Sequence, residues 1–195
     1  VANNLNFRVE KKTIVEKISI CLKPGQFTGL IGPSGCGKTT FMMMLNGYLK
    51  PTMGDVLING VSLHRNPQAF QGQIGYVPQD DIIHRELTVE ESLFYTSKLR
   101  LGNHITAQER TLQISQIISA LNLKAAKDTL IGSPEKKGIS GGQRKRVNMA
   151  QELITEPLFY FLDEPTSGLD PRSDREVMQL LSDLAQHGHV VLLTT

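Results

Sequence analysis

QFTGLIGPSGCGKTTFMMML (26–45) decides the fold. An apolar run, 26–32, passes through a glycine-rich turn into helix formers, 39–49. Within it, GPSGCGKT (32–39) matches G-x-x-x-x-G-K-[ST] in the required setting, after a strand and before a helix. Gly32, Gly35 and Gly37 let the backbone turn tightly and approach phosphate oxygens with no Cβ in the way. Successive N–H groups of the loop, which also contains Pro33, Ser34 and Cys36, then form an anion nest. The helix start adds its positive dipole end. Lys38 is expected to reach the β- and γ-phosphates, Thr39 to offer a hydroxyl to Mg²⁺, and Thr40 to bond the α-phosphate. The position of Cys36 admits either a redox-sensitive thiol or a small loop residue, and the second is the simpler reading.

Outward from this loop, alternating segments extend the pattern. FRV (7–9) and IVEKISICL (14–22) read as a half-exposed antiparallel pair around EKK. GDVLING (54–60) and QIGYVP (73–78) read as further strands. The texture turns helical over LTVEESLFYTSKLRL (87–101) and TAQERTLQISQIISALNL (106–123), where Leu112, Ile114, Ile117, Ile118 and Leu121 recur near a 3.6 period. GQRKRVNMAQELI (142–154) and DPRSDREVMQLLSDLAQHG (170–188) are two more helices. The apolar strands 26–32, 158–162 and 190–194 alternate with helices, as covered strands of a parallel sheet do. The expected fold is α/β: a P-loop NTPase core with a mostly parallel sheet, an N-terminal antiparallel β-subdomain and an inserted α-helical subdomain. The core would span about 1–85 and 156–195, and the helical subdomain about 86–155.

LFYFLDE (158–164) delivers two carboxylates to a strand's C-terminal end, where α/β sheets place ligands. Asp163 would face a metal through a coordinated water. Glu164 would polarise an attacking water as general base. A second glycine-rich element, ISGGQRKR (139–146), opens a helix. Ser140 and Gln143 form an S-x-x-Q capping box. Gly141 and Gly142 are costly in a first turn, by roughly 1 kcal/mol each against Ala. They leave the helix N-terminus bare, as a second anion site would require. Two phosphate-binding elements a hundred residues apart either meet within one chain or face each other across two.

Composition excludes other classes. Of 195 residues, 39% are hydrophobic and 21% charged, which is globular usage rather than disordered or fibrous. The longest apolar runs are five residues, Phe41–Leu45 and Leu158–Leu162; a membrane span needs about 20. VANNLNFRVEKKTIV (1–15) has no apolar signal-peptide core and no starting Met, so the visible start is expected to be a cut. Two cysteines make no disulfide framework, which favours a reducing compartment. A net charge of +2 makes no electrostatic case for nucleic acid. The five histidines lack metal-ligand spacing and read as surface or loop residues. Met42–Met44 reads as core filler, and Arg144, Lys145 and Arg146 as a solvated helix face or an anion-attracting one.

Taken together, the motifs resemble the ATP-binding cassette (ABC) ATPases, the nucleotide-binding domains of ABC transporters, over essentially the whole chain. In the family's order stand GPSGCGKT (Walker A, 32–39), Gln79 in YVPQDD (Q-loop), ISGGQ (signature, 139–143), LFYFLDE (Walker B, 158–164) and SGLD (D-loop, 167–170). QDD, LTVEESLFYTSKLRL and ISGGQRKRVNMAQEL followed by DEPTSGLD resemble the white/pigment subfamily, mainly exporters of lipids, sterols and other hydrophobic compounds. The resemblance implies ATP and Mg²⁺ as cofactors, with hydrolysis at Glu164 and Gln79 and metal contacts from Thr39, Gln79 and Asp163. It implies a head-to-tail dimer in which Walker A of one chain and Ser140, Gly141, Gly142 and Gln143 of the other enclose each γ-phosphate. Asp170 would lie at the dimer interface, or act as the N-cap of helix 171–187. It further implies a membrane domain, fused or separate, contacted by residues near 80–100, and a place on the cytoplasmic face of the membrane.

Two departures stand out. The stretch Arg8–Lys12 lacks the aromatic that the family stacks on adenine, and Phe7 is the nearest. The chain ends at Thr195, one residue before the family's switch His, so this length is expected to bind ATP but to hydrolyse it poorly. A soluble ABC-type ATPase acting on nucleic acid or ribosomes is the alternative. Such proteins usually carry a second cassette or an inserted coiled coil, and the interval from Thr39 to Ser140 has no room for the coiled coil.

Overall fold

The computed structural model describes residues 1–80, 82–133 and 138–195. Asp81 of the QDD stretch lies outside them, as do residues 134–137. The chain opens on an antiparallel hairpin, β1 (Ala2–Val9) and β2 (Lys12–Ile20), followed by β3 (Phe27–Leu30) and α1 (Lys38–Leu45). Next come β4 (Met53–Ile58), β5 (Val61–Ser62) and β6 (Ile74–Val77). Three helices follow, α2 (Val89–Leu101), α3 (Ala107–Ala120) and α4 (Gly141–Leu153), then β7 (Phe159–Leu162), α5 (Pro171–Gln186) and β8 (Val190–Thr194). The first strand begins at Ala2 rather than Phe7, because its polar half pairs with β4 as well as with β2.

Two sheets result, an antiparallel one ordered β2-β1-β4-β5 and a parallel one ordered β3-β8-β7-β6. The parallel sheet is covered on both faces. Phe161 and Leu192 pack with Leu5, Val15, Phe41, Met42 and Met44, between α1 and the antiparallel sheet. Their neighbours Tyr160, Leu162, Val191 and Leu193 turn the other way, onto Val177, Leu181 and Ala185 of α5. Alternation of period two inside an all-apolar run is what a doubly covered strand requires. Met42 and Met44 are core filler as expected. Strand β3 is the exception among the three apolar strands. It lies at the sheet edge, and Ile31 just beyond it is 84% exposed.

A separate core holds the helical block together: Val89 and Leu93 of α2, Ile114 and Ile118 of α3, and Val147, Ala150 and Ile154 on and after α4. Leu112, counted above with the apolar face of α3, instead points outward at 61% exposure. The face that is buried follows the i, i+4 pair Ile114 and Ile118. Capping boxes start α2 (Thr88 with Glu91) and α3 (Thr106 with Glu109). No helix is long and apolar enough to cross a membrane among the described residues.

Candidate functional site

All four parallel strands end on the same side. Their C-terminal ends lead into the 32–39 loop (β3), Pro78 and Gln79 (β6), Asp163 and Glu164 (β7), and Thr194 (β8). This is the crevice beyond the carboxyl ends of strands where open α/β sheets bind ligands.

The loop has the backbone that its glycines imply. Gly35 and Gly37 sit at φ +77° and +99°. A Cβ on Gly32 would stand 2.9 Å from Cys36 Sγ. Lys38 Nζ donates to Gly32 O at 2.6 Å and Pro33 O at 3.3 Å, which keeps its ammonium folded over the loop. Helices α2, α3, α4 and α5 each have a side-chain N-cap, from Thr88, Thr106, Ser140 and Asp170. Helix α1 has none: its N-cap is Gly37, with no side-chain cap hydrogen bond. Its first N–H groups are therefore left for a ligand, in keeping with a phosphate site. Thr39 and Thr40 lie in its first turn, both half-buried.

Across the sheet, Gln79 and Glu164 meet although 85 residues separate them: Gln79 Nε2 donates to Glu164 Oε2 at 3.0 Å. Asp163 is buried, at 3% exposure, and its Oδ1 accepts from Thr194 Oγ1 at 2.5 Å. Thr39, Gln79 and Asp163 would present a hydroxyl, an amide oxygen and a carboxylate. This all-oxygen set suits Mg²⁺, a hard cation usually held by one or two carboxylates together with substrate phosphates and water. Among the described residues no group of three or more His, Cys, Asp or Glu could hold a metal ion.

The second glycine-rich element is a capping box first. Gln143 N donates to Ser140 Oγ at 3.2 Å, and Ser140 N to Gln143 Oε1 at 2.8 Å. One of its orphan donors is thus already taken, so the helix start is less bare than its glycines suggest. Gly142 has its own packing reason, since a Cβ there would stand 3.1 Å from Leu169 Cδ2. Among the described residues, no hydrogen bond joins 140–143 to the 32–40 loop. Asp170 caps α5, accepting from the N–H groups of Arg172 at 3.0 Å and Ser173 at 3.1 Å. The Ser173 hydroxyl first, then the N–H groups of Ser173 and Arg172, hold its carboxyl below the usual range.

The basic run 144–146 is not a solvated face. All three residues are half-buried. Arg144 donates to Ile139 O at 3.0 Å, Lys145 to Glu164 O at 3.1 Å, and Arg146 pairs with Glu176 at 3.7 Å. His64 and His189 are also half-buried, bonded to Met44 O at 3.1 Å and Pro157 O at 2.9 Å. Phe7 packs partly buried against the first core. In the sequence Lys145 reads only as part of a basic helix face, and Thr194 not at all, because neither has a chemistry of its own in the motifs.

A protein-family description, "ABC transporter", matches residues 15–167 of this chain. The chain belongs to the ABC transporter family. ATP-binding domains of this family hydrolyse ATP. The cassette is 43% identical over 184 residues to an ABC transporter ATP-binding/permease protein of Mycobacterium tuberculosis, which spans 94% of this chain and 21% of that protein. It is 40% identical over 187 residues to ABC transporter G family member 28 of Arabidopsis thaliana, covering 95% of this chain and 17% of that one. The G family is the white-brown group to which the QDD and signature stretches pointed. The cassette spans about a fifth of the length of these relatives. Its fold is that of a solved chain described as "Structure of ATP binding subunit of ABC transporter", with TM-score 0.81, 24% identity, and coverage of 100% of this chain and 78% of that one.

Proposed function

We propose that the cassette binds Mg-ATP in the 32–40 loop and hydrolyses it with Glu164 as general base, powering a membrane domain that moves a hydrophobic or lipid-like substrate. The observation that carries this reading is the contact between Gln79 and Glu164 at 3.0 Å, which joins the Q-loop to the carboxylate at the strand end. The chain's own residues divide the work. The α1 N–H groups and Lys38 hold the phosphates. Asp163, one oxygen of which accepts from Thr194, would help hold the metal together with Thr39 and Gln79. Mg²⁺ neutralises charge on the β- and γ-phosphates when bound. Glu164 accepts the proton of the attacking water, and Gln79 fixes where that carboxylate lies.

The active unit in this reading is a head-to-tail dimer on the cytoplasmic face of the membrane, with Ser140–Gln143 of one cassette closing on the 32–40 loop of the other. Capping of Ser140 within its own chain leaves its exposed edge to face a partner. The core and helical subdomains would divide near residues 85 and 156, and the exposed side chains of Phe94, Tyr95 and Leu99 support a contact with the membrane domain. The test is size exclusion with ATP on a polypeptide extended past residue 195. Glu164→Gln should elute as an ATP-bound dimer and lose ATPase activity. A monomer at every ATP concentration would contradict the dimer, and wild-type turnover by Glu164→Gln would remove Glu164 as the base.

A further inference from the structure

Glu164 has a backbone that its residue type disfavours. Its φ is +47°, in the left-handed region that a side chain with a Cβ rarely adopts. Glu10, Lys17 and Glu156 share that region, and what distinguishes Glu164 is how it is held there. Its N–H donates to Thr194 Oγ1 at 3.0 Å, its carbonyl accepts from Lys145 Nζ at 3.1 Å, and its carboxylate accepts from Gln79 at 3.0 Å. The first of these bonds has a further partner. Thr194 is fully buried, and the same Oγ1 donates its proton to Asp163 Oδ1 at 2.5 Å. A hydroxyl has one proton and two lone pairs. Here the proton is committed to one carboxylate while a lone pair holds the backbone of the next residue.

We propose that Thr194 is a positioning residue that sets Asp163 and Glu164 as one unit, so that the metal-facing oxygen and the general base keep a fixed relation. The inference rests on the hydrolytic reading of those two carboxylates. Thr194 is fully buried and acts through both neighbours. Its hydroxyl selects Oδ1 of Asp163 for the protein and leaves Oδ2 for the metal face. It also anchors the peptide that turns Glu164 into its left-handed conformation. Removing the hydroxyl while keeping the shape frees both at once. Phosphate binding by the 32–40 loop, which follows the neighbouring strand β3, draws on the loop's own N–H groups and Lys38 rather than on this hydroxyl.

The test uses the full natural polypeptide that carries this sequence. Affinity for a fluorescent ATP analogue is measured without divalent metal, Mn²⁺ affinity of the ATP-loaded protein by EPR, and kcat with Mg²⁺. Thr194→Val should leave metal-free nucleotide affinity within about twofold, weaken Mn²⁺ about tenfold and lower kcat about ten- to hundredfold. Thr194→Ser should restore both losses. If Thr194→Val does not fold, reduced Thr194→Cys reads the same split with a weak donor of similar size. Unchanged Mn²⁺ affinity and kcat would overturn the proposal, as would a loss of metal-free nucleotide binding in step with kcat, the mark of a general core defect. Wild type and Glu164→Gln run alongside. A wild type without Mg²⁺-dependent hydrolysis removes the hydrolytic reading and this inference together. A hydrolysing wild type with a silent Thr194→Val removes only the inference.

Discussion

Gly37 is where backbone conformation and packing coincide. Its φ of +99° already excludes most side chains, and a Cβ would stand 3.0 Å from Ile14 O and 3.3 Å from Ile14 Cγ2 on β2. Gly35 shares the conformation, at φ +77°, but a Cβ there would meet open space. Gly37→Ala should therefore suffer both strain and a clash, and Gly35→Ala strain alone. Left-handed strain costs about 1–3 kcal/mol. Thermal denaturation should show Gly37→Ala melting clearly below Gly35→Ala; equal melting temperatures would mean that β2 yields without cost. The glycines could be read from the sequence because the G-x-x-x-x-G-K-[ST] spacing has a single chemical purpose. Lys145 and Thr194 could not. A lysine in a basic run and a threonine at a strand end have many uses, and only the fold brings them to the two sides of the Glu164 peptide.

The start of α4 is legible where strand burial is not: Ser140 with Gln143 is a local pattern satisfied within four residues. The structure adds the same box at Thr88 with Glu91 and at Thr106 with Glu109, which the helical reading of those stretches does not single out. Burial of β3 depends on which strand lies beside it, and no local pattern carries that; the apolar run 26–32 reads as a covered strand but lies at the sheet edge. The same holds for Leu112, whose apolar character says nothing of the direction its helix presents. The capping boxes carry a pH dependence of defined sign. Glu91 and Glu109 are each held below the ordinary carboxyl pKa, first by the backbone N–H of the cap threonine and then by its hydroxyl. A lowered folded-state pKa contributes stability above the unfolded value, about 4.3, and loses it as pH falls through the folded value. Glutamine keeps the box without the charge. Between pH 7 and pH 3 the wild type should thus lose more thermal stability than a Glu91→Gln, Glu109→Gln double variant. Equal losses would show that the boxes do not titrate with folding.

At the level of the whole molecule, the proposed reading shares each ATP site between the 32–40 loop of one chain and Ser140–Gln143 of another. The hydrogen bonds of Ser140 and Gln143 close on each other, and the next residues along α4 lead to the Glu164 turn rather than to the 32–40 loop. If each ATP lies between Walker A of one cassette and the signature of another, two defects should complement in a defined way. Lys38→Ala disables every Walker A of a homodimer, and Ser140→Arg every signature, so neither variant alone closes a site. In a mixed pair, one site combines both defects and the other combines both intact elements. The two variants, co-expressed in a Glu164→Gln background with different tags and purified through both, should retain about one labelled ATP per pair against about two for the parent dimer, by the site count of a symmetric two-chain assembly. Each variant alone should retain almost none. Were the site complete within one chain, the mixed pair would hold no more ATP than its two defective parents, and the signature would act on its own loop through a rearrangement of α4.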